Sequence, residues 1–93
     1  MPYNFKVSPQ FKRDVKVMKR RHRDMTPLKE AIGALAVNDT DLLAGSYRDH
    51  KLTGGLSGYR ELHIEGDWLL VYKKQKSTVT IVLMRTGTHD QLF

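Results

Sequence analysis

The stretch YRELHIEGDWLLVYKKQKSTVTIVLMRTGTHDQLF, residues 59–93, decides the fold. Three segments within it, 59–64, 68–73 and 78–84, are rich in β-branched and aromatic residues, a composition that favours strands. Only three and four residues separate these segments, and connectors this short join antiparallel neighbours. The second half of the chain is therefore expected to form three antiparallel strands.

The residues at the other end of the chain predict a strand followed by a helix. Residues 3–7 alternate in hydrophobicity, as strands do. Ser8-Pro9 then combines an N-cap serine with a proline at the first helical position. With a turn of about 100° per residue, one stripe of this helix contains Phe11, Val15, Met18 and His22.

A second helix and a long loop are expected between these two regions. Thr26-Pro27 repeats the cap-and-proline signal, and Asn38 and the aspartate after it end the apolar stripe that follows. Residues 42–58 contain four glycines and are expected to be irregular. A loop of this length in a small domain more often carries a function than serves only as a connection.

These elements predict one α+β domain over residues 1–93, in the order β-α-α-β-β-β. A helical hairpin should pack on one face of a small, twisted, mainly antiparallel sheet. The chain has no cysteine, which excludes disulfides, thiolate zinc sites and a cysteine nucleophile. No apolar run reaches the ~20 residues that cross a bilayer and no signal peptide is evident, so we expect a cytoplasmic protein without a membrane partner.

The net charge of +6 is concentrated in the first third of the chain. Residues 6–30 contain nine Lys or Arg and three Asp or Glu, whereas the rest of the chain contains seven of each. The first helix carries much of this charge, including Lys16, Lys19 and Arg20. Such a face indicates either a polyanionic partner, most often nucleic acid, or a solvated surface that keeps the protein soluble.

The strand predicted at 59–64 places an acid and an imidazole side by side. Leu62 and Ile64 share one face, so Glu61 and His63 share the other. The tight connector should bring Asp67 to within roughly 5–8 Å of His63, where a carboxylate can fix the tautomer of an imidazole. Alternatively, Asp67 is simply the turn residue of a hairpin.

Two further histidines and an arginine complete the candidate site. His50 lies in the long loop, while His89 follows the last strand by way of Gly87. Phe93 follows His89 closely in the sequence and could stack on a nucleotide base. Arg85 could either brace a carboxylate or stabilise the charge of a phosphate. The histidines and Asp67 could also form a zinc site, but their spacing contains no tight ligand pair, so we assign no metal.

Four segments in order along the chain carry a family resemblance: 49–52 (DHKL), 58–63 (GYRELH), 67–72 (DWLLVY) and 85–93 (RTGTHDQLF). The chain thereby resembles the YafQ branch of the RelE-like toxins of bacterial toxin–antitoxin systems. The resemblance implies a RelE-like fold and a ribosome-dependent endoribonuclease that cuts messenger RNA, needs no metal or other cofactor, and is silenced by a cognate antitoxin. Contact with operator DNA is expected only through the antitoxin complex.

By position, the resemblance implies functional roles for His50, His63, Asp67, His89 and Phe93. Relatives often carry aspartate where this chain has Glu61, and the extra methylene leaves the role of Glu61 open. We place it among the substrate contacts, together with Phe93 and the basic residues of the first helix, Lys16, Lys19 and Arg20. Gly66 also replaces a frequent proline.

The resulting hypothesis is general acid–base cleavage of RNA, in which a ribose 2′-hydroxyl attacks the adjacent phosphate. His89 is expected to act with His50 or His63, while Asp67 orients them and Arg85 steadies the phosphate. Two alternatives from other classes remain: a non-catalytic basic nucleic-acid-binding module, and a metal-dependent hydrolase. The codon preference, the oligomeric state and the identity of the antitoxin do not follow from the sequence.

Overall fold

The computed structural model describes residues 3–75 and 80–93 and contains one mixed sheet with helices on one face. The strands are β1 (Asn4–Val7), β2 (His50–Lys51), β3 (Arg60–Glu65), β4 (Trp68–Gln75) and β5 (Thr80–Thr88). The helices are α1 (Pro9–Arg20), α2 (Thr26–Ala36), α3 (Thr40–Gly45) and α4 (His89–Leu92), and a 3₁₀ turn spans Gly54–Leu56. Part of the connector expected at 74–77, and the start of the strand expected at 78–84, lie outside the described residues.

The strand order is β1-β5-β4-β3-β2, with β1 parallel to β5 and every other pair antiparallel. The first two helices cover one face, where Phe11 and Met18 of α1 and Leu28 and Leu35 of α2 are buried. They pack on the alternate strand residues Leu62, Ile64, Trp68, Leu70 and Tyr72. The predicted α+β class and the helical hairpin on one face are confirmed.

The start of α1 is fixed by the cap that the sequence predicts. The backbone N–H of Phe11 donates to Ser8 Oγ at 2.9 Å, and the serine hydroxyl donates to the Met84 carbonyl at 2.7 Å. One side chain therefore both caps α1 and joins it to β5. The expected cap at Thr26 is wrong: Thr26 lies inside α2, and its N–H donates to Asp24 Oδ1 at 2.9 Å.

The segment 42–58 is more ordered than its glycine content indicates. It contains most of α3, the short strand β2 and the 3₁₀ turn, so the sheet has one strand more than expected. Asp39 caps α3 by accepting the N–H of Leu42 at 3.2 Å. Elements of two to six residues show no hydrophobic periodicity, which is why sequence patterns miss them.

The last strand also extends beyond its predicted end at Met84, because β5 continues to Thr88. The register between β4 and β5 shifts at Val71 and Tyr72, which pair with Arg85 and Leu83 and leave Met84 as an extra residue on β5. Such a bulge changes the direction of the side chains that follow it. No helix in the described part of the chain is long and apolar enough to cross a membrane.

Candidate active site

The sheet face opposite α1 and α2 carries the predicted chemistry. Directly paired residues on antiparallel strands point to the same face. One such row runs across β2, β3, β4 and β5 through His50, Glu61, Val71 and Arg85. A neighbouring row runs through His63, Leu69 and Gly87. Neighbouring strands lie ~4.8 Å apart, so the backbones of β3 and β5, which have β4 between them, are ~10 Å apart.

At one end of these rows, two imidazoles share one carboxylate. Glu61 Oε1 lies 3.5 Å from His50 Nε2 and 3.4 Å from His63 Nε2. The two rings are stacked, with centroids 5.7 Å apart. The Glu61 side chain is 8% exposed, whereas those of His50 and His63 are 47% and 34% exposed. The carboxylate therefore lies buried at the bottom of the cluster, and the two imidazoles line its opening to solvent.

The ring of His50 is oriented by the backbone just before it. Its Nδ1 lies 2.7 Å from the carbonyl oxygen of Arg48. Because a carbonyl can only accept, Nδ1 carries the proton and Nε2 faces Glu61. Arg48 has a φ of 51°, a left-handed conformation that is uncommon for a residue with a long side chain. The loop thus holds a strained backbone that aims the histidine.

A buried polar network fixes that loop to the sheet. Both Asp49 oxygens are engaged by Arg60, from Nε at 3.2 Å and from a terminal nitrogen at 3.1 Å. The Tyr72 hydroxyl donates to Asp49 Oδ1 at 2.6 Å. Hydrogen bonding to Asp49 raises the pKa of Arg60. Burial, followed by the bond to Asp49, raises the pKa of Tyr72. We call Asp49, Arg60 and Tyr72 the loop clamp.

The raised pKa of Tyr72 predicts a loss of stability at alkaline pH. The unfolded chain releases the Tyr72 proton near the ordinary tyrosine pKa of 10.0, while the folded chain retains it. The free energy of unfolding should therefore be unaffected by this group below that pH, and decrease as the pH rises from there towards the folded pKa. Tyr72→Phe should show a shallower decrease than the wild type in urea unfolding between about pH 9 and pH 11. Parallel curves would contradict this.

Asp67 is the turn residue of the hairpin, the alternative that the sequence left open. The residue opposite His63 on β4 is Leu69, and the register shifts only after His63, where the hairpin closes. Asp67 is an exposed turn residue, and within residues 3–75 and 80–93 no hydrogen bond or ion pair joins it to an imidazole. The carboxylate next to His63 is that of Glu61 on its own strand.

Arg85 braces a carboxylate, the first of the two roles that the sequence allowed. Its Nε and a terminal nitrogen lie 3.0 and 3.2 Å from the two oxygens of Asp14 on α1. The backbone N–H of Thr86 also donates to Asp14, at 3.1 Å. β1 pairs with β5 only as far as Leu83, so Asp14 satisfies an N–H on the part of β5 that β1 leaves uncovered.

At the other end of the rows, α4 presents His89 and Phe93 together. The rings are 5.2 Å apart at 44°, and both residues are exposed. The turn is held by a capping box in which the N–H of Thr88 donates to Gln91 Oε1 at 2.8 Å. That oxygen would lie 2.8 Å from a Cβ on Gly87, so glycine admits the close return of α4 over the strand. Gly87 itself is part of β5, which continues to Thr88.

A cavity of about 330 Å³ lies beside Phe93. It is lined by residues of the 3₁₀ turn, the sheet and the C-terminal segment, among them Leu56, Tyr59, Val71, Arg85, Leu92 and Phe93. Its floor is apolar and one wall carries a guanidinium group, a combination suited to a flat base attached to a phosphate. Tyr59 and the loop clamp are the residues of this region that sequence reasoning missed, although Asp49 and Arg60 stood inside the segments that carry the resemblance.

The histidines therefore form two groups and not one. His50 and His63 meet on Glu61, and His89 pairs with Phe93 on the same side of the sheet, with the buried residues Leu69 and Val71 of β4 between the groups. His22 is a left-handed residue just after α1. Within residues 3–75 and 80–93, ring contacts join His50 to His63 and His89 to Phe93, and none joins His89 to the other two.

The basic residues of α1 are available to a partner from solvent. Lys16, Lys19 and Arg20 are exposed on a helix that packs against the opposite sheet face. Near the end of this helix a larger cavity of about 480 Å³ is lined by Arg21, Arg23 and Trp68, among other residues. The Arg23 guanidinium lies 4.2 Å from the centroid of the Trp68 ring. The same cavity is also lined by Arg85, Thr88 and Gln91, so the end of α1 borders the segment that carries His89.

Comparison with known proteins identifies the family to which this chain belongs. Residues 3–93 match the family described as bacterial toxin of type II toxin-antitoxin system, YafQ. The mRNA interferase toxin YafQ of Escherichia coli K12 is 41% identical over 90 residues, which cover 97% of this chain and 95% of that protein. The chain belongs to the YafQ family of bacterial toxins, as the sequence segments indicate.

Solved structures agree with this assignment. The E. coli DinJ-YafQ toxin-antitoxin complex contains a chain with a TM-score of 0.84 and 40% identity, with 100% of this chain and 99% of that chain covered. A metal-bound toxin from Helicobacter pylori has a TM-score of 0.86 and 38% identity, with both chains fully covered. The RelE-like fold that the resemblance implies is confirmed at this level of similarity.

Proposed function

We propose that this YafQ-family toxin is an endoribonuclease that cuts messenger RNA on the ribosome by acid–base chemistry. The name of the E. coli relative, an mRNA interferase toxin, supports the activity and the substrate. The single observation that carries the chemistry is the pair of half-exposed imidazoles on the buried carboxylate of Glu61. Histidine is the side chain that changes charge most readily near neutral pH, and it serves equally as acid and as base.

In the proposed reaction, a base on the protein takes the proton from a ribose 2′-hydroxyl. The 2′-oxygen then bonds to the adjacent phosphorus while the bond from phosphorus to the 5′-oxygen breaks. A second group donates a proton to the departing 5′-oxygen. The products are a 2′,3′-cyclic phosphate and a free 5′-hydroxyl, and no step requires an oxidant or a metal.

The two histidine groups suit the two sides of this reaction. RNA laid along the rows, over Leu69 and Val71, would meet the His50–His63 pair at one end and His89 at the other. Phe93 offers an exposed ring for base stacking, worth on the order of 1–3 kcal/mol. Arg85 supplies positive charge between the two histidine groups, and Asp14 holds the guanidinium of Arg85 in its orientation. The orienting role expected of Asp67 passes to Glu61 and the Arg48 carbonyl.

One assay separates this function from its rivals. The purified protein is mixed with messenger RNA, with and without ribosomes, and with and without a chelator. We expect cleavage that needs ribosomes, survives chelation and leaves 2′,3′-cyclic phosphate ends. Binding without cleavage would instead identify a nucleic-acid-binding module, and loss of cleavage with chelator would identify a metal-dependent hydrolase.

The partners of this chain follow from the same family. The DinJ-YafQ complex is a toxin with its antitoxin, which supports a cognate antitoxin as the protein partner here. The ribosome and messenger RNA are the proposed nucleic-acid partners, and operator DNA would be reached only through the antitoxin complex. The exposed cations of α1 supply sequence-independent contacts to ribosomal RNA, because Lys and Arg bind phosphates without reading bases.

Charge reversal on α1 tests the ribosomal contact. Changing Lys16, Lys19 and Arg20 to glutamate should weaken ribosome association and reduce its dependence on salt, since fewer counterions are released on binding. A co-sedimentation assay over a range of salt concentrations measures both effects. The matched control reverses the exposed cations Lys6, Lys29 and Lys74, which lie on other elements. Equal weakening by both sets would show that only net charge matters.

A further inference from the structure

The cavity near the end of α1 lies at the open edge of β5, and we call it the edge cavity. β1 pairs with β5 only as far as Leu83, so beyond that residue the end of α1 lies beside β5 in place of a strand. The volume of about 480 Å³ is within the ~300–1,000 Å³ of small-molecule sites. Its lining includes three arginines, Arg21, Arg23 and Arg85, and one acid, Asp14, which is paired with Arg85. The edge cavity therefore favours an anionic ligand.

Arg23 presents a flat cation that the protein holds in place from below. Its guanidinium carbon lies over the Trp68 ring, 4.2 Å from the centroid. The ring is fixed in turn, because its Nε1–H donates to the Thr86 hydroxyl at 2.8 Å and that hydroxyl donates to the Leu69 carbonyl at 2.9 Å. The Arg23 side chain is still 40% exposed, so a second flat group can stack on the side that the ring leaves free. Unpaired bases stack on guanidinium planes in this way.

The charges around the edge cavity favour a nucleotide over a carboxylate-rich peptide. The edge of the Arg23 guanidinium already has Glu65 Oε1 at 3.8 Å, and that of Arg85 is held by both oxygens of Asp14. Within residues 3–75 and 80–93, no ion pair engages Arg21. A ligand therefore meets one face suited to stacking and one cation without a partner charge. A base and its phosphate use both, whereas carboxylates compete for guanidinium edges that are taken.

We propose that the edge cavity binds an unpaired nucleotide of the messenger RNA strand, with its base on Arg23 and a phosphate on Arg21. The assignment to messenger RNA rests on the proposed function. Its support is that Arg85 lines both the edge cavity and the cavity beside Phe93, so the two occupants can be neighbours on one strand. Such a strand passes around the open edge of β5 and beside the start of α4. The toxin thereby holds its substrate on both sides of Arg85.

Nucleotide binding is tested on the full chain without ribosomes. The probe is a short oligoadenylate with 2′-O-methyl riboses, which cannot be cut by the proposed chemistry. Anisotropy of an end-labelled probe measures its affinity. The emission of Trp68, the single tryptophan of the chain, reports where the probe binds, because the ring lies directly under Arg23. We expect a saturable change in emission, and about tenfold or greater weakening by Arg23→Gln and by Arg21→Gln.

Two further variants separate stacking from charge. Arg23→Lys keeps the charge but loses the flat group, so it should bind oligoadenylate about tenfold more weakly and bind an abasic oligonucleotide of the same length as the wild type does. The matched control is Arg13→Gln, which removes an exposed cation of α1 outside the lining of the edge cavity and should bind the probe as the wild type does. Circular dichroism confirms that each variant is folded.

Three outcomes would overturn the nucleotide site. They are binding of the probe with no change in Trp68 emission, equal binding by the wild type and both glutamine variants, and competition by polyglutamate as strong as that by unlabelled oligoadenylate. The last would identify an acidic peptide as the occupant.

The source of the nucleotide is tested on ribosomes. Arg23→Gln should raise the toxin concentration for half-maximal messenger cleavage about tenfold and lower the rate at saturation much less. Its co-sedimentation with messenger-free ribosomes should match that of the wild type. Weaker co-sedimentation would identify ribosomal RNA and overturn messenger RNA as the occupant. A chain that binds oligoadenylate in the edge cavity but never cleaves would overturn the proposed function and leave the nucleotide site intact.

Discussion

Changing His89 to alanine is expected to slow messenger cleavage on ribosomes by roughly 10²- to 10⁴-fold. The change removes one of the two proton-transfer groups, and it also removes the ring that packs at 5.2 Å against Phe93. Because His89 is exposed at the start of a short helix, its loss should leave the core and the thermal midpoint nearly unchanged. The measurement is the single-turnover cleavage rate at saturating ribosomes.

His89→Gln is the companion variant, because it keeps a polar side chain of similar length but cannot act as an acid or base near neutral pH. If both variants are equally slow, the lost function is proton transfer. If only the alanine variant is slow, the role is positional. Cleavage within about threefold of wild type in both variants would remove His89 from the reaction, because a proton-transfer group contributes far more than that.

Asp49→Ala should have the largest effect on stability of any polar change near the site. It leaves the Arg60 guanidinium without its acceptor and leaves the hydroxyl of Tyr72, which is fully buried, unpaired. Removing one partner of such a network costs about 2–4 kcal/mol in the free energy of unfolding. Urea unfolding at neutral pH measures the loss. Asp41→Ala, on an exposed first turn, is the matched control and should cost less than about 1 kcal/mol.

The same variant should also affect catalysis, because the clamp holds the loop that aims His50. At a temperature where Asp49→Ala is fully folded, cleavage should fall by about tenfold or more, since small displacements of a catalytic group are costly. A variant that is destabilised but cleaves at the wild-type rate would limit the clamp to a structural role.

Much of the sheet and the first helix followed from sequence. The β-branched segments, the Ser8 cap and the alternation of Leu62 with His63 each depend on neighbours within a few residues, where simple periodicity is informative. The placement of Glu61 and His63 on the face away from the helices was correct for that reason.

The rest of the site depends on register and on distant partners. The register shift at the end of β3, between His63 and Glu65, is invisible in the residue pattern. The clamp formed by Asp49, Arg60 and Tyr72, and the bond from Arg85 to Asp14, join residues 11 to 71 positions apart. The meeting of His50 with Glu61 likewise needed β2, a strand of two residues.

The parallel pairing of β1 with β5 has a consequence for how this molecule assembles. The bond from the Ser8 hydroxyl to the Met84 carbonyl closes a separation of 76 positions, whereas β3 and β4 meet across a tight turn. Contacts between remote segments form slowly, since the chain must first lose the freedom of the intervening loop. The hairpin can thus arise early, but α1 docks only once β5 exists, and that docking brings Asp14 to Arg85. We therefore expect the pairing of Arg85 with Asp14 to form in one of the last steps of folding.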